Sequence, residues 1–227
     1  VPLFLVVHRE ASAMIAVSSF RPLDDNKEVA TNQVLAIDSW RSVFQGIFLF
    51  GAFDWRLACP RTTFIEGPDF PPLSLLYLIA SQAEEPAAIL NADIVVGRNL
   101  VETADKAFHM GAYALTSRRY EYDPAKPNFE AAKVVDLGAD FFCAHPWIWA
   151  KAWRAVPEQY RFGNGGWDNW LLGYLGVTLR RAFADITPSR CIFHPRHVER
   201  KRVAMERPLL DRYNTSSLGF PRALTLT

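Results

Sequence analysis

Apolar residues come along this chain in short runs that alternate with longer segments of helical spacing. Met14–Ser18 is predicted as the first strand, followed by a loop over Phe20–Asn26 that carries Arg21, Pro22, Asp24 and Asp25. In Val29–Phe44 the residues Val34, Ile37, Trp40 and Phe44 share one helical face. Ile47–Phe50 reads as a short buried strand closed by Gly51, and Thr62–Ile65 as another. Leu73–Ala83, opened by Pro71-Pro72, has the length and apolarity of a buried helix. Ala87–Leu90 is an apolar strand that runs straight into Asn91-Ala92-Asp93. A helix over Asn99–Phe108, strands over Ala112–Thr116 and Ala139–Ala144, and a helix over Pro146–Ala155 follow. Arg161–Gly166 is a glycine loop, Trp167–Tyr174 a helix, and Ala182–Thr187 and Arg190–Phe193 are short strands. The polar stretch Arg118–Asp136, with Pro124 and Pro127, is expected to be a long loop beside a site.

Strand–helix alternation of this kind predicts an α/β fold: a mostly parallel, Rossmann-like sheet flanked by helices in a single compact domain. The expected organisation is an extension over 1–13, the domain over 14–200, and a basic, irregular tail over 201–227.

Composition narrows the functional classes. At 227 residues and 50% hydrophobic, the chain has material for a sizeable core. The 25 Lys+Arg against 24 Asp+Glu give no global field that calls for nucleic acid or membrane. Cys59, Cys143 and Cys191 are odd in number and widely spaced, which argues against a disulfide framework or a cysteine zinc site. They are expected to be reduced core thiols, consistent with a cytoplasmic protein. No apolar run approaches the roughly 20 residues of a membrane span. Val1–Val7 is apolar and precedes Ala11-Ser12-Ala13, but the basic leader of a signal peptide is missing.

Three segments carry candidate chemistry. In Asn91-Ala92-Asp93 a carboxylate stands at the end of a buried strand, where α/β sheets bind ligands. Hard oxygen donors there suit Mg²⁺ or Mn²⁺. The plain alternative for Asp93 is a turn residue or helix cap. In Arg161–Trp170 three glycines permit close backbone approach, and Asp168 lies in the first turn of a helix, whose dipole favours its ionised form. Such a carboxylate is a candidate general base, and Trp167 and Trp170 are candidate stacking platforms; the alternative is an ordinary loop–helix junction with buried indoles. His194 and His197 flank Pro195, which holds His194 extended, so one imidazole is a candidate metal ligand while the other packs.

Taken in order, these segments resemble a GT-A glycosyltransferase. The resemblance rests on Ser18-Ser19-Phe20-Arg21, Asn32, Ala36–Trp40, Ile47–Gly51, Leu90–Ile94, Ser117-Arg118-Arg119, Gly138–Phe142, Gly166–Trp170 and His194–His197. It spans roughly residues 14–200. It implies that Ser18, Phe20 and Arg21 lie near the nucleobase and ribose of a nucleotide sugar, a UDP-sugar in preference. Asn91 and Asp93 would form the acidic motif, with Asp93 and His197 or His194 as metal ligands. Arg118 would meet phosphate or sugar, and Asp140, with Trp167 and Trp170, donor sugar or acceptor. Gly166-Trp167-Asp168 is similar to the glycine–acid loop of inverting galactosyltransferases, with Asp168 as base. Two departures stand out: Asn91 replaces the first acid of the metal motif, and Trp167 replaces the first acid of the loop.

The acceptor is open. Between Arg190 and Arg212 seven basic residues face three acids, the pattern of a phosphate-contacting arm or of a solvated tail. A DNA acceptor, as for phage enzymes that glycosylate hydroxymethylated bases, would need base extrusion, with Tyr120, Tyr122 or Trp167 to stack. A glycan or lipid-linked acceptor is the other reading. A sugar nucleotidyltransferase is disfavoured because Ser18–Asn26 contains no glycine for a phosphate loop. A non-catalytic sugar- or nucleotide-binding protein is the remaining class.

Overall fold

The computed structural model describes residues 13–24, 26–68, 70–135, 139–163 and 166–196. Its main sheet combines β1 (Ile15–Ser19), β2 (Gly46–Phe50), β3 (Thr62–Ile65), β4 (Ala87–Leu90), β6 (Ala114–Ser117), β9 (Phe141–Ala144) and β10 (Phe183–Asp185) in the order β10-β6-β9-β4-β1-β2-β3. All pairs are parallel except those of β9, which runs antiparallel to both β4 and β6. A smaller sheet joins β5 (Val95–Val96), β11 (Ile192–Pro195), β7 (Tyr120–Tyr122) and β8 (Lys133–Val134).

The central strands are buried on both faces, which is why β4 and β9 read as unbroken apolar runs. Successive residues serve opposite faces. Ala88, Leu90, Phe141 and Cys143 join Ile37 and Trp40 of α1 (Lys27–Trp40) and Leu100 and Ala104 of α3 (Leu100–His109). Ala87, Ile89, Phe142 and Ala144 join α2 (Leu73–Ser81), α4 (Pro146–Ala155) and α5 (Trp167–Leu179). Helices thus cover both faces, as the alternation predicted. Asn26 caps α1, its Oδ1 accepting from the N–H groups of Glu28 and Val29. Gly51 has φ +145, and a Cβ there would lie 2.6 Å from the Phe20 ring.

Several boundaries differ from expectation. The first helix ends at Trp40, while Phe44 stays buried through a turn whose N–H bonds the Trp40 carbonyl. The expected loop over Arg118–Asp136 instead contributes β7 and β8. Tyr120 and Tyr122 face inward while Glu121 does not, a period-two pattern hidden by the charges around it. The helix from Trp167 runs on to Leu179; the first late strand narrows to β10 and the second shifts onward to β11, with a 3₁₀ turn at Thr187–Ser189 between them. Cys59, Cys143 and Cys191 are free thiols. The extension, apart from residue 13, and the tail over 201–227 lie outside the described residues.

Candidate functional site

The parallel strands β1, β4 and β6 end along one edge of the sheet. Because β9 is reversed, the residue that enters it arrives at that same edge: Phe141 pairs with both Leu90 and Ser117. Asp140, one residue earlier, therefore meets the turn Asn91-Ala92-Asp93 and the segment leaving β6.

A chain of polar contacts runs from that turn and back to it. Asn91 Nδ2 donates to Asp140 Oδ1 at 2.7 Å, and Arg119 Nη1 bonds Asp140 Oδ2 at 2.5 Å. Arg119 Nη2 reaches Glu121 Oε1 at 3.3 Å. Glu121 Oε1 is 3.9 Å from His194 Nδ1, and His194 Nε2 is 3.4 Å from Asp93 Oδ2. Burial works against the charge of Arg119, but Asp140, then Glu121 and Asp93, outweigh it and hold the guanidinium above its usual range. Burial, then the charge of Asp93, pushes the Tyr122 phenol up to about 12. Three carboxylates thus share one guanidinium and one imidazole.

Among the described residues no group of three or more His, Cys, Asp or Glu side chains could hold a metal ion. Asp93 and His194 nevertheless fit two positions of one shell. Ligands that bond a single ion at about 2.1 Å stand about 3.0 to 3.4 Å apart at tetrahedral or octahedral angles. His197 lies outside the described residues.

Asp168 opens α5 after Gly166, which has φ +91. Its Oδ2 accepts from the Ala139 N–H at 3.4 Å, which sets it beside Asp140 and the same strand edge. Burial, then repulsion from Asp140, raises its carboxyl above the usual range, and backbone N–H groups of Asn169, Ala139 and Asp168 itself pull it back only in part.

The remaining expected site residues divide sharply. Ser18 is fully buried and donates its hydroxyl to the Leu90 carbonyl at 2.6 Å, tying β1 to the end of β4. The Arg21 backbone is clasped by the Gln33 amide in both directions, leaving its side chain at the surface. Arg118 is half-buried, with its backbone N–H bonded to Thr187 Oγ1 at 2.8 Å.

Phe20 is not an open platform: it is buried against Phe64 and beneath Gly51. Nor are the two indoles. Trp170 is fully buried and stacked on Tyr174 and Tyr77, while Trp167 is wedged between Phe142 and Phe162. These rings went inward because α5 supplies a core face at Trp167, Trp170, Leu171 and Tyr174. Tyr120 and Tyr122 are buried as well, which corrects their expected stacking role. Arg190, counted above in the basic arm, is occupied: Nη2 bonds the carbonyls of Phe129, Glu130 and Ala132, and the guanidinium lies 4.2 Å over the Tyr120 ring. Both oxygens of Asp140 are engaged, so its side chain braces the turn at Asn91 and the guanidinium of Arg119.

Arg119 and Glu121 were not singled out as site residues from sequence. Their signal was the polar positions flanking the buried Tyr120, readable only once Tyr120–Tyr122 is seen as a strand.

No protein-family model matches this sequence, and no curated protein does. Among solved structures, the chain is similar to S. aureus TarS 1-349 in complex with UDP-GlcNAc, with TM-score 0.52 and 8% identity over 82% of this chain and 59% of that one. It is also similar to 4-diphosphocytidyl-2C-methyl-D-erythritol synthase from Anaerococcus prevotii (TM-score 0.46, 10% identity, 73% of this chain and 85% of that one). A UDP-glucose pyrophosphorylase complexed with UDP-glucose matches with TM-score 0.37 and 9% identity over 61% of this chain and 79% of that one. The likeness to TarS, with the mixed seven-stranded sheet between two helical layers, makes this a GT-A-like fold.

Proposed function

We propose that the chain is a glycosyltransferase that moves a sugar from a nucleotide sugar, a UDP-sugar in preference, to an acceptor hydroxyl. The observation that carries this reading is the meeting of Asp93 and His194, 3.4 Å apart, at the strand edge that also receives Asp168. Asp93 and His194 would hold a divalent cation, Mn²⁺ or Mg²⁺, whose charge offsets that of the departing diphosphate. Arg119, fixed by Asp140 and Glu121, sets the shape of the turn that presents Asp93. Asp168 takes the proton of the acceptor hydroxyl, and its raised affinity for protons makes it a stronger base than an ordinary surface aspartate.

Attack by an acceptor deprotonated at Asp168 on the face opposite the leaving diphosphate gives inversion at the sugar carbon. The UDP-GlcNAc bound in the TarS structure supports the choice of donor class. The acceptor is the finer question. DNA was suggested by the stretch 190–212, most of which lies outside the described residues, and Arg190 is already spent on the fold.

The test is incubation with a panel of UDP- and GDP-sugars and Mn²⁺, followed by assay of free nucleoside diphosphate and mass analysis of a mixed acceptor pool. Donor-dependent release with a glycosylated product is the expected result. Exchange of pyrophosphate into the nucleotide sugar would assign a nucleotidyltransferase instead. Donor binding with no release from any sugar would reduce the chain to a binding protein.

A further inference from the structure

α4 turns an unusual face to solvent. Ile148, Trp149 and Ala152 are buried, and the Trp149 indole N–H bonds the Ala87 carbonyl at 2.9 Å, which fixes the rotation of the helix. At 3.6 residues per turn, Trp147, Lys151 and Arg154 then lie within about 60° of one another on the opposite side, while Trp153 lies about 100° round from Arg154, nearer the buried Trp149. Trp147 and Trp153 are 43% and 38% exposed, for a residue type normally kept inside. The Lys151 ammonium sits 4.8 Å over the Trp147 ring, and the Arg154 guanidinium 6.0 Å from the Trp153 ring.

The face continues onto the loop before β6. Tyr113, 46% exposed, packs edge-on against Trp147 at 5.3 Å. Its N–H bonds the Ala182 carbonyl, next to the exposed Arg181. No acid occurs in Pro146–Ala155; the first one after it is Glu158.

We infer that the outer face of α4, with Tyr113, is a docking surface for an anionic phospholipid bilayer. Tryptophan and tyrosine beside lysine and arginine are the composition of the bilayer interface, where rings sit at headgroup level and cations meet lipid phosphate. The charge is complementary and unopposed along the helix. A base or sugar would need an open ring face, whereas here cations already lie over both indoles. No described helix is long and apolar enough to cross a membrane; the contact inferred here is interfacial, made by side chains at headgroup level. The inference is independent of the catalytic reading, since none of these residues belongs to the candidate site.

The experiment is flotation of the full chain with vesicles of phosphatidylcholine alone, or of equal parts phosphatidylcholine and phosphatidylglycerol. The wild type should float with the anionic vesicles and do so less at high salt. Lys151→Gln with Arg154→Gln should weaken this binding roughly 25-fold, at about fivefold per cation near the surface. Trp147→Ala with Trp153→Ala should weaken it as well, with the circular dichroism spectrum unchanged. A wild type that stays with the unbound fraction, or variants that float equally, would overturn the assignment. So would a dimer in sedimentation equilibrium that Trp147→Ala dissolves, since a second copy would then cover the face.

Discussion

Replacing Asp168 by Asn should make the protein more stable and much less active at neutral pH. The two effects share one cause. Burial and the nearby Asp140 raise the proton affinity of this carboxyl in the folded state, even though backbone N–H groups and the start of α5 favour its ion. The upward shift is the net of those contributions, so the native ion is strained relative to the unfolded chain. Asn is nearly the same shape and carries no charge. The sign follows from proton linkage: a native state that binds the proton more tightly loses stability as pH rises from the ordinary aspartate value of 3.8 through the raised one. Above that window the wild type bears the whole penalty and the Asn variant none.

Thermal melts at a series of pH values should therefore show Asp168→Asn above the wild type at pH 7, with the gap closing as pH falls toward 3.8. Turnover should move the other way. Loss of a general base costs roughly 100- to 10,000-fold, about 3 to 5 kcal/mol in the barrier, with donor affinity little changed. A variant that melts below the wild type at pH 7 would refute the electrostatic account. A variant that turns over at the wild-type rate would refute the role as base.

Asp93→Ala should abolish metal-stimulated diphosphate release and weaken Mn²⁺ binding measured by electron paramagnetic resonance; full Mn²⁺ binding in the variant would remove Asp93 from the shell. Arg119→Met should lower stability to urea by about 2 to 4 kcal/mol, since it strands the largely buried Asp140, although Asn91 keeps one of its bonds. A loss of less than about 1 kcal/mol would show that the pair is screened as at a surface. Trp170→Ala should cost roughly 3 to 5 kcal/mol in the same assay, because the ring is fully buried among Tyr77, Tyr160 and Tyr174. A neutral outcome there would reopen its reading as a ligand platform.

The framework was legible wherever burial alone decides structure. Ala87–Leu90 is an apolar run and Pro146–Ala155 has an apolar face, and both elements lie where expected. Legibility failed where a strand is short and framed by charge. Tyr120–Tyr122 gains its pairing from β11, which lies far along the chain, and Lys133–Val134 in turn pairs with Tyr120–Tyr122. With that sheet hidden, Arg119 and Glu121 looked like loop charges. Order and resemblance set His197 or His194 beside Asp93, of which the described residues include only His194, but the engagement of Asp140 on both oxygens depends on β9 running backwards. The indoles at 167 and 170 follow the packing alternative, because a ring that packs and a ring that binds look alike until the helix face is known.

That reversed strand also ties the chemistry to odd and even positions. Side chains alternate sides along β9, and Asp140 owes its aim to the pairing of Phe141 with Leu90 and Ser117. Slipping the strand by a single residue would swing Phe142 and Ala144 across to the α1 side and turn the Asp140 carboxylate away from both Asn91 and Arg119. An insertion within Phe141–Ala144 would thus dismantle the site and the sheet in one event.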